Sequence, residues 1–385
     1  MALDAYAGLA QFDLVGTRED LSDVVSEILL QDTNLLSRIG FAGEATNTTH
    51  EWLESSLNAA TVVDAESGGL DAAGTNVDLD VTTGQGARVR IGALLKNRAR
   101  NQAEVVHVTA IATDALTITR GYGTTSPEDH DSGSTWDIVG MPVQSGTDVT
   151  TDRSVIRTRV TNFTQIFERG VQIAGDTQAV LKAGVPDEVA YQSRLRLLEL
   201  LTELDRSIIA GIKSASDGSD TVYRTMSGLI EYLSAAGGNT NSTAEAMSPD
   251  VLNAMFQQIF DDGGGIMGSQ MMLAVPQAQM RKISAFDSNN VRVVPGPGMS
   301  GRFVTQFLTD LGVVLDIVVD RWIPPDTSMV IDNSRTAVVP LSGRSFGINP
   351  ISVTGDSVKR QILGDYTLEV RNAGEAHAIH TNLVI

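Results

Sequence analysis

Three spacings in this sequence could do chemistry. Gly296-Pro297-Gly298-Met299-Ser300-Gly301 has the GxGxxG pattern of a dinucleotide-binding turn, in which backbone N–H groups at a helix start cradle a pyrophosphate. It follows the apolar run Val291–Val294, and Asp320 lies at the distance where an acidic side chain would take a ribose hydroxyl. Gly343-Arg344-Ser345-Phe346-Gly347 has the GxSxG pattern of a nucleophile elbow. His377 and His380 are three residues apart, a spacing that suits a metal on a helix.

The surroundings argue against all three. Pro295 and Pro297 each remove a backbone donor from the turn that should hold the pyrophosphate. A dinucleotide fold also needs further βαβ units after the fingerprint, whereas the remaining sequence reads as antiparallel strands. The serine of an elbow must open a helix, but Gly347-Ile348-Asn349-Pro350 follows Ser345. The two histidines fall in an expected strand, where residues three apart face opposite sides. His50, His107 and His130 are isolated in the sequence, and no lysine follows a glycine as in a phosphate loop. The expectation is therefore a protein without catalytic, cofactor-binding or metal-binding residues. An NAD-dependent oxidoreductase using Gly296, Gly298, Gly301 and Asp320 is the enzymatic alternative.

Composition points the same way. The formal charge of −19 over 385 residues, with no basic run, disfavours direct nucleic-acid binding. It suits a wall that must not adhere to enclosed DNA. The absence of cysteine excludes disulfides and thiolate metal sites. No basic n-region opens the chain, and no apolar run approaches the roughly 20 residues that span a membrane, so a soluble protein made in the cytosol is expected. Twenty-three of the 28 basic residues are Arg, whose planar fork suits interface pairs.

The elements that would position these residues are unevenly distributed. Leu21, Val24, Val25, Ile28 and Leu29 recur at helical spacing, and Thr33 to Ile39 reads as a short helix ended by Gly40. Residues 58–75 are rich in Ala, Gly, Ser and Asp and read as an exposed linker. Residues 76–141 alternate with period two between turns, the pattern of a small barrel or sandwich. Residues 153–173 form a further extended stretch with Arg153, Arg157, Arg159, Glu168 and Arg169, placed to pair with a neighbouring subunit. Pro186 to Lys213 then reads as one amphipathic helix of roughly 40 Å. Its stripe is Tyr191, Leu195, Leu198, Leu201, Leu204, Ile208 and Ile212, widened by Leu197, Leu200 and Ile209, with Glu203 and Arg206 paired outside. Mixed helices and strands follow, and the last fifty residues are mostly strands.

This order resembles that of the tailed-phage major capsid protein, an α+β chain of the Hong Kong 97-type fold. The local sequence agrees: Arg18-Glu19-Asp20-Leu21-Ser22-Asp23-Val24-Val25, Asp32-Thr33-Asn34-Leu35-Leu36-Ser37-Arg38-Ile39-Gly40 and Asn47-Thr48-Thr49-His50-Glu51-Trp52 are similar to one branch of phage head proteins. That branch carries a β-module ending in a Thr-x-Thr-Arg-Gly-x-Gly segment, as at Thr117–Gly123.

The resemblance implies an N-terminal arm at 1–45 and an extended loop at 46–175 with a β-rich insertion at 76–141. It implies a peripheral domain from 176–221 and 335–385, with the long helix as its spine, and an axial domain at 222–334. Gly296, Gly298 and Gly301 would form a loop of that axial domain. The function implied is structural: pentamers and hexamers closing an icosahedral virion head around double-stranded DNA, made in the host cytoplasm. Its partners would be further copies, a portal protein, and separate scaffolding or decoration proteins, because about 16 residues before the first helix are too few for a scaffolding segment. Lys96 is the lone lysine of the extended region, and no motif marks it for cross-linking. An encapsulin-like compartment shell is the alternative within the same fold.

Overall fold

Thr33 begins the described chain by starting a helix that it does not itself cap. The structure is a computed structural model describing residues 33–55, 57–66, 68–99, 103–146, 148, 154–180, 185, 187–219, 221–235, 238–264, 270–286, 291–293 (backbone only), 304–352 and 355–385. The expected helix around Leu21–Leu29 lies outside them. Contacts divide the chain into two units, residues 1–52 with 160–385, and residues 53–159.

In the first unit, α1 (Asn34–Ile39) buries Leu35, Leu36 and Ile39. The next residues run along a sheet edge, with parallel bridges Phe41↔Val338 and Ala45↔Leu341. Residues 33–45, expected within the N-terminal arm, are thus packed on this unit through the buried Leu35, Leu36, Ile39 and Ala45. The chain leaves the unit along β1 (Thr49–Glu54), which pairs with the later β8 (Thr158–Phe163) as a two-stranded ribbon.

Between those strands, the second unit is built from β2 (Thr61–Val63), β3 (Asp78–Asp80), β4 (Leu94–Asn97), β5 (Val105–Ala112), β6 (Ala115–Thr119) and β7 (Thr135–Gly140). They form one antiparallel sheet in the order β2-β7-β4-β5-β6-β3. The antiparallel bridge Asp64↔Val81, with Ala65 N–H to Asp80 O (2.7 Å) and Thr82 N–H to Val63 O (2.9 Å), joins the two edges. The sheet closes into a barrel and leaves no free edge. Alternation sends Val62, Leu79, Leu95, Val106, Val108, Leu116, Ile118 and Trp136 inward. The barrel begins earlier than the sequence pattern suggests: residues 58–75 include β2 and the fully buried Leu70, and are not a linker. Strands of three residues are too short to show a period, which is why composition misleads there.

Back in the first unit, β9 (Gln165–Ala174) leads through α2 (Gly175–Ala179) to the long helix α3 (Glu188–Ala210). Asp187 caps α3 by accepting from Val189 N–H (2.9 Å) and Ala190 N–H (3.2 Å). Pro186 lies outside the described residues. The helix stops three residues before Lys213, because Gly211 turns extended and meets Gly228, whose N–H donates to Gly211 O (2.9 Å). Its 23 residues span about 35 Å. The fully buried apolar face is Leu200, Leu204, Ile208 and Ile209, which joins two stripe residues with two of the three widening ones. Ile212 is 71% exposed and outside the helix. Each fully buried leucine or isoleucine contributes about 1.5–3 kcal/mol.

The remainder is α4 (Leu229–Ala235), β10 (Thr240–Asn241), α5 (Pro249–Asp261), β11 (Met271–Val275), α6 (Gln277–Ser284), β12 (Val291–Val293), β13 (Val304–Leu308), β14 (Val314–Val319), β15 (Ser328–Asp332), β16 (Thr336–Pro340), β17 (Gly347–Pro350), β18 (Ser357–Val370), α7 (Ala373–Ala376) and β19 (Ala378–His380). A seven-stranded mixed sheet runs β10-β19-β15-β11-β14-β13-β12. Its β11 is buried at every position, as a central strand covered on both faces requires. Met272, Ala274 and Val318 join the core that holds α1, α3 and α4, while Met271, Leu273 and Phe307 pack with α5 and α6. In a second sheet β18 pairs with β9 over ten residues and with β16 and β17.

Candidate functional site

Among the described residues, the places where chemistry was conceivable are occupied by structural contacts. His377 and His380 are both fully buried, and each ring is committed to its own partners. Asp332 N–H donates to His377 Nδ1 (3.1 Å), and His377 Nε2 lies 3.2 Å from Arg371 O. Burial pushes the His377 imidazole down to about 4, so it is neutral at pH 7. His380 Nε2 lies 2.7 Å from Glu245 Oε1, and its Nδ1 lies 2.9 Å from Thr381 O. Among the described residues no three His, Asp or Glu side chains converge to hold a metal. Ser345 is followed by β17, and its neighbours Arg344 and Phe346 bind Asp365 (2.6 Å) and the Tyr366 hydroxyl (2.9 Å).

Gly296, Gly298 and Gly301 lie outside the described residues. Asp320 is fully buried and already used: it accepts from Trp322 N–H (2.8 Å) and from Leu35 N–H (3.4 Å). Asp205 of α3, also fully buried, accepts from Leu36 N–H (2.9 Å). Two carboxylates distant in sequence therefore cap α1, whose own Thr33 makes no side-chain cap. A ribose-binding role for Asp320 is replaced by this structural one.

Of the charged residues placed on 153–173, Arg153 lies outside the described residues. Arg157 is exposed before β8, and Arg159 is exposed on it. Glu168, exposed on β9, accepts from Gln361 Nε2 (2.5 Å). Arg169 pairs with Glu203 of α3 (2.5 Å), so the expected Glu203–Arg206 pair does not form. Arg206 instead lies over the Trp322 ring, 3.6 Å from its centroid. Ile156, next to Arg157 in the chain, is 89% exposed, and in the same unit Leu57 is 95% exposed.

A dense electrostatic cluster lies inside the barrel, and of its side chains only Arg120 sits in a motif singled out from the sequence. Arg120 donates through Nε to Glu104 Oε1 (2.7 Å) and through Nη2 to Glu104 Oε2 (2.8 Å). Gly121 N–H (2.8 Å) and Glu128 N–H (2.9 Å) donate to the same carboxylate. His130 Nε2 lies 2.9 Å from Glu104 Oε2, and Asn97 Nδ2 donates to His130 Nδ1 (2.9 Å). Arg120 Nη2 also reaches Asp71 O (3.1 Å) and Glu128 O (2.7 Å), tying the barrel's loops to its wall. Burial opposes ionisation of Glu104, but the bonds from Arg120, Glu128, His130 and Gly121 outweigh it and hold the carboxyl down to about 2. Glu104 and His130 are fully buried, and every oxygen and nitrogen of the pair is engaged, so no group is left to meet a substrate. Gly121 and Gly123 supply φ of +61° and +71°, which let the chain double back past Arg120. Asn97, Glu104 and His130 carried no sequence signal, since they come together only when the barrel closes.

The fold has close parallels among solved structures. A chain from the capsid of a native GTA particle superposes with a TM-score of 0.53 at 8% identity, covering 100% of both chains. A chain of Microbacterium phage Oxtober96 gives 0.51 at 12% identity over 97% of this chain and 99% of that one. The holo-SrpI encapsulin complex of Synechococcus elongatus PCC 7942 gives 0.42 at 13% identity over 60% and 78%, too low to carry argument. No curated protein sequence matches. The first two likenesses show the shared fold, and family rests on sequence: the model for the SU10 major capsid protein matches residues 8–384. That match spans nearly the whole chain, and the chain belongs to the SU10 major capsid protein family.

Proposed function

We propose that this capsid subunit assembles into pentamers and hexamers that close an icosahedral head around the double-stranded DNA of a tailed phage. One observation carries the reading beyond family membership. In a unit with a complete barrel core, Ile156 leaves 89% of its surface in solvent next to the exposed Arg157, and Leu57 of the same unit leaves 95%. Exposed large apolar side chains and arginine are both enriched at interfaces. The charge of −19 leaves DNA enclosed without being gripped.

In this proposal residues 46–175, barrel included, are the loop laid on a neighbour. Residues 176–221 and 335–385 are the peripheral domain, and residues 222–334 reach the capsomer axis. Repeated heterologous contacts of this kind close when the rotation between copies allows it. A portal complex and separate scaffolding or decoration proteins would complete the head.

Negative-stain microscopy of the purified protein tests the reading. Closed particles are expected, while strict monomers or open filaments under every assembly condition would overturn it. Arg157→Glu with Arg159→Glu should lower particle yield while leaving the barrel folded, and normal yield would remove that segment from the interface.

A further inference from the structure

Strand β9 is a sheet edge that the described chain leaves open. Among the described residues it pairs with β18 alone, over ten residues and without a bulge. Its other side presents a row of backbone N–H and C=O groups with no described strand against them. Proteins blunt such an edge with proline, lysine, a bulge or a cover, because a bare edge adds strands. Gln165–Ala174 contains no proline and no lysine. Beside it lies a groove of about 460 Å³, bounded by residues 170–174 and by Glu188, Gln192 and Arg196. Those three residues form one row of α3, each four positions after the last.

The two faces of β9 differ. Glu168 and Gln172 are exposed on one. Val171 and Ile173, on the other, form a small apolar cluster with Val189 of α3 and Val358 of β18. A stretch that suits both faces exists in the same sequence. Residues 154–157 belong to no strand and, with Thr158 and Arg159, are exposed throughout. In an extended chain, alternation puts Arg157 and Arg159 on one side and Ile156 and Thr158 on the other. The arginines complement the charge of Glu168, and Ile156, 89% exposed, complements the cluster of Val171, Ile173 and Val189. Within one chain the stretch continues into β8, which pairs with β1 and not with β9, so the matching edge belongs to another copy.

We propose that residues 154–159 of one copy add as a strand to the open edge of β9 in a second copy, with Arg157 and Arg159 beside Glu168 and Ile156 turned into the groove towards Val189. Main-chain hydrogen bonds supply the hold, and the alternating side chains fix the register. Donor stretch and receiving edge are different surfaces, so the contact is heterologous and each copy can give one strand and take one. Arg169 takes no part, because it faces α3 and is committed to Glu203. The proposal names the receiving surface for the loop contact of the proposed function. Its place in a shell rests on that reading, whereas the pairing itself can be tested without a shell.

A synthetic peptide of residues 154–160 is the probe, and the full chain carrying Arg157→Glu and Arg159→Glu, which cannot donate the matching stretch, is the receiver. At millimolar peptide, hydrogen exchange within 165–174 should slow by about threefold at the amides that face away from β18, while β11 should not change. The peptide with both arginines replaced by glutamate should give no protection, and adding Glu168→Arg to the receiver should reverse that preference. No slowing with either peptide, or equal slowing with both, overturns the proposal. Edge amides already protected in the receiver alone would mean that the groove is filled within the chain, and would overturn it too. Peptide protection without particles in microscopy would count against the shell function and leave the strand pairing standing.

Discussion

Arg120 and Glu104 meet in the barrel as a bidentate pair, 2.7 and 2.8 Å, with 3% and 0% of their side chains exposed. A buried pair of this kind adds little over a well-packed apolar pair, but breaking it on one side strands a charge. Arg120→Met should therefore destabilise the barrel by about 3–5 kcal/mol, and the double change Arg120→Met with Glu104→Met by clearly less. Denaturant unfolding of the full chain, followed by exchange of β5 and β6 amides, gives both values and their coupling. Additive effects would show that the two residues act independently.

Acid should attack the two units in separate windows. His377 has a folded value of about 4 against a reference of 6.5, so the unfolded chain takes its proton first. The stability of the first unit that depends on neutral His377 is full above about 6.5 and is lost as pH falls towards 4. Glu104 is also depressed, about 2 against 4.5, and its contribution of about 3 kcal/mol is present above 4.5 and disappears as pH falls towards 2. Exchange across an acid titration should show the first unit loosening while the barrel stays protected. His377→Gln should remove the pH dependence between 6.5 and 4 from the first unit, and Glu104→Gln should remove the lower one from the barrel. A single transition shared by both units would contradict this ordering.

What the sequence made legible follows from the range of the interactions. Ser248-Pro249-Asp250 announces α5, because a cap and a first turn are local: Ser248 Oγ accepts from Val251 N–H (3.3 Å). Met271–Val275 reads as a buried strand from its apolar run alone, and β11 has those bounds. The end of α3 was not legible, since Gly211 stops it by meeting Gly228, 17 residues on. Thr33 looked like a sufficient start for α1, yet Asp205 and Asp320 do the capping from 169 and 285 residues away. The Arg120 clamp was half legible: Arg-Gly-x-Gly marked the turn, but its partners sit on other strands and loops that no spacing connects.

The long-range cap on α1 can be tested by itself. Asp320→Ala removes the acceptor for Leu35 and Trp322 N–H groups and leaves buried donors unmet, at a cost of about 1–3 kcal/mol each. Asp320→Asn keeps an acceptor and should cost less. Exchange at residues 34–39 should accelerate in the alanine variant well before β11 responds. Equal exchange in α1 and β11 would mean that α1 is held by its apolar contacts alone.

Two glycines of the barrel separate crowding from backbone strain. Gly123 has φ +71° and open space where a Cβ would stand, so Gly123→Ala meets only the left-handed penalty of about 1–2 kcal/mol. Gly86 has no positive φ, yet a Cβ there would lie 1.9 Å from Thr113 O in the β5–β6 turn. That turn is docked rather than free: Asp114 Oδ1 accepts from Gly86 N–H (2.9 Å) and Gly84 N–H (3.0 Å). Backbone cannot rotate aside as a side chain can, so Gly86→Ala must push the hairpin off its seat. Its cost should exceed that of Gly123→Ala, reaching about 3 kcal/mol. Denaturant midpoints of the two variants, with exchange at 113–117 as the local reporter, decide the order. A smaller effect at Gly86 would mean that the hairpin is held there far more loosely than its hydrogen bonds require.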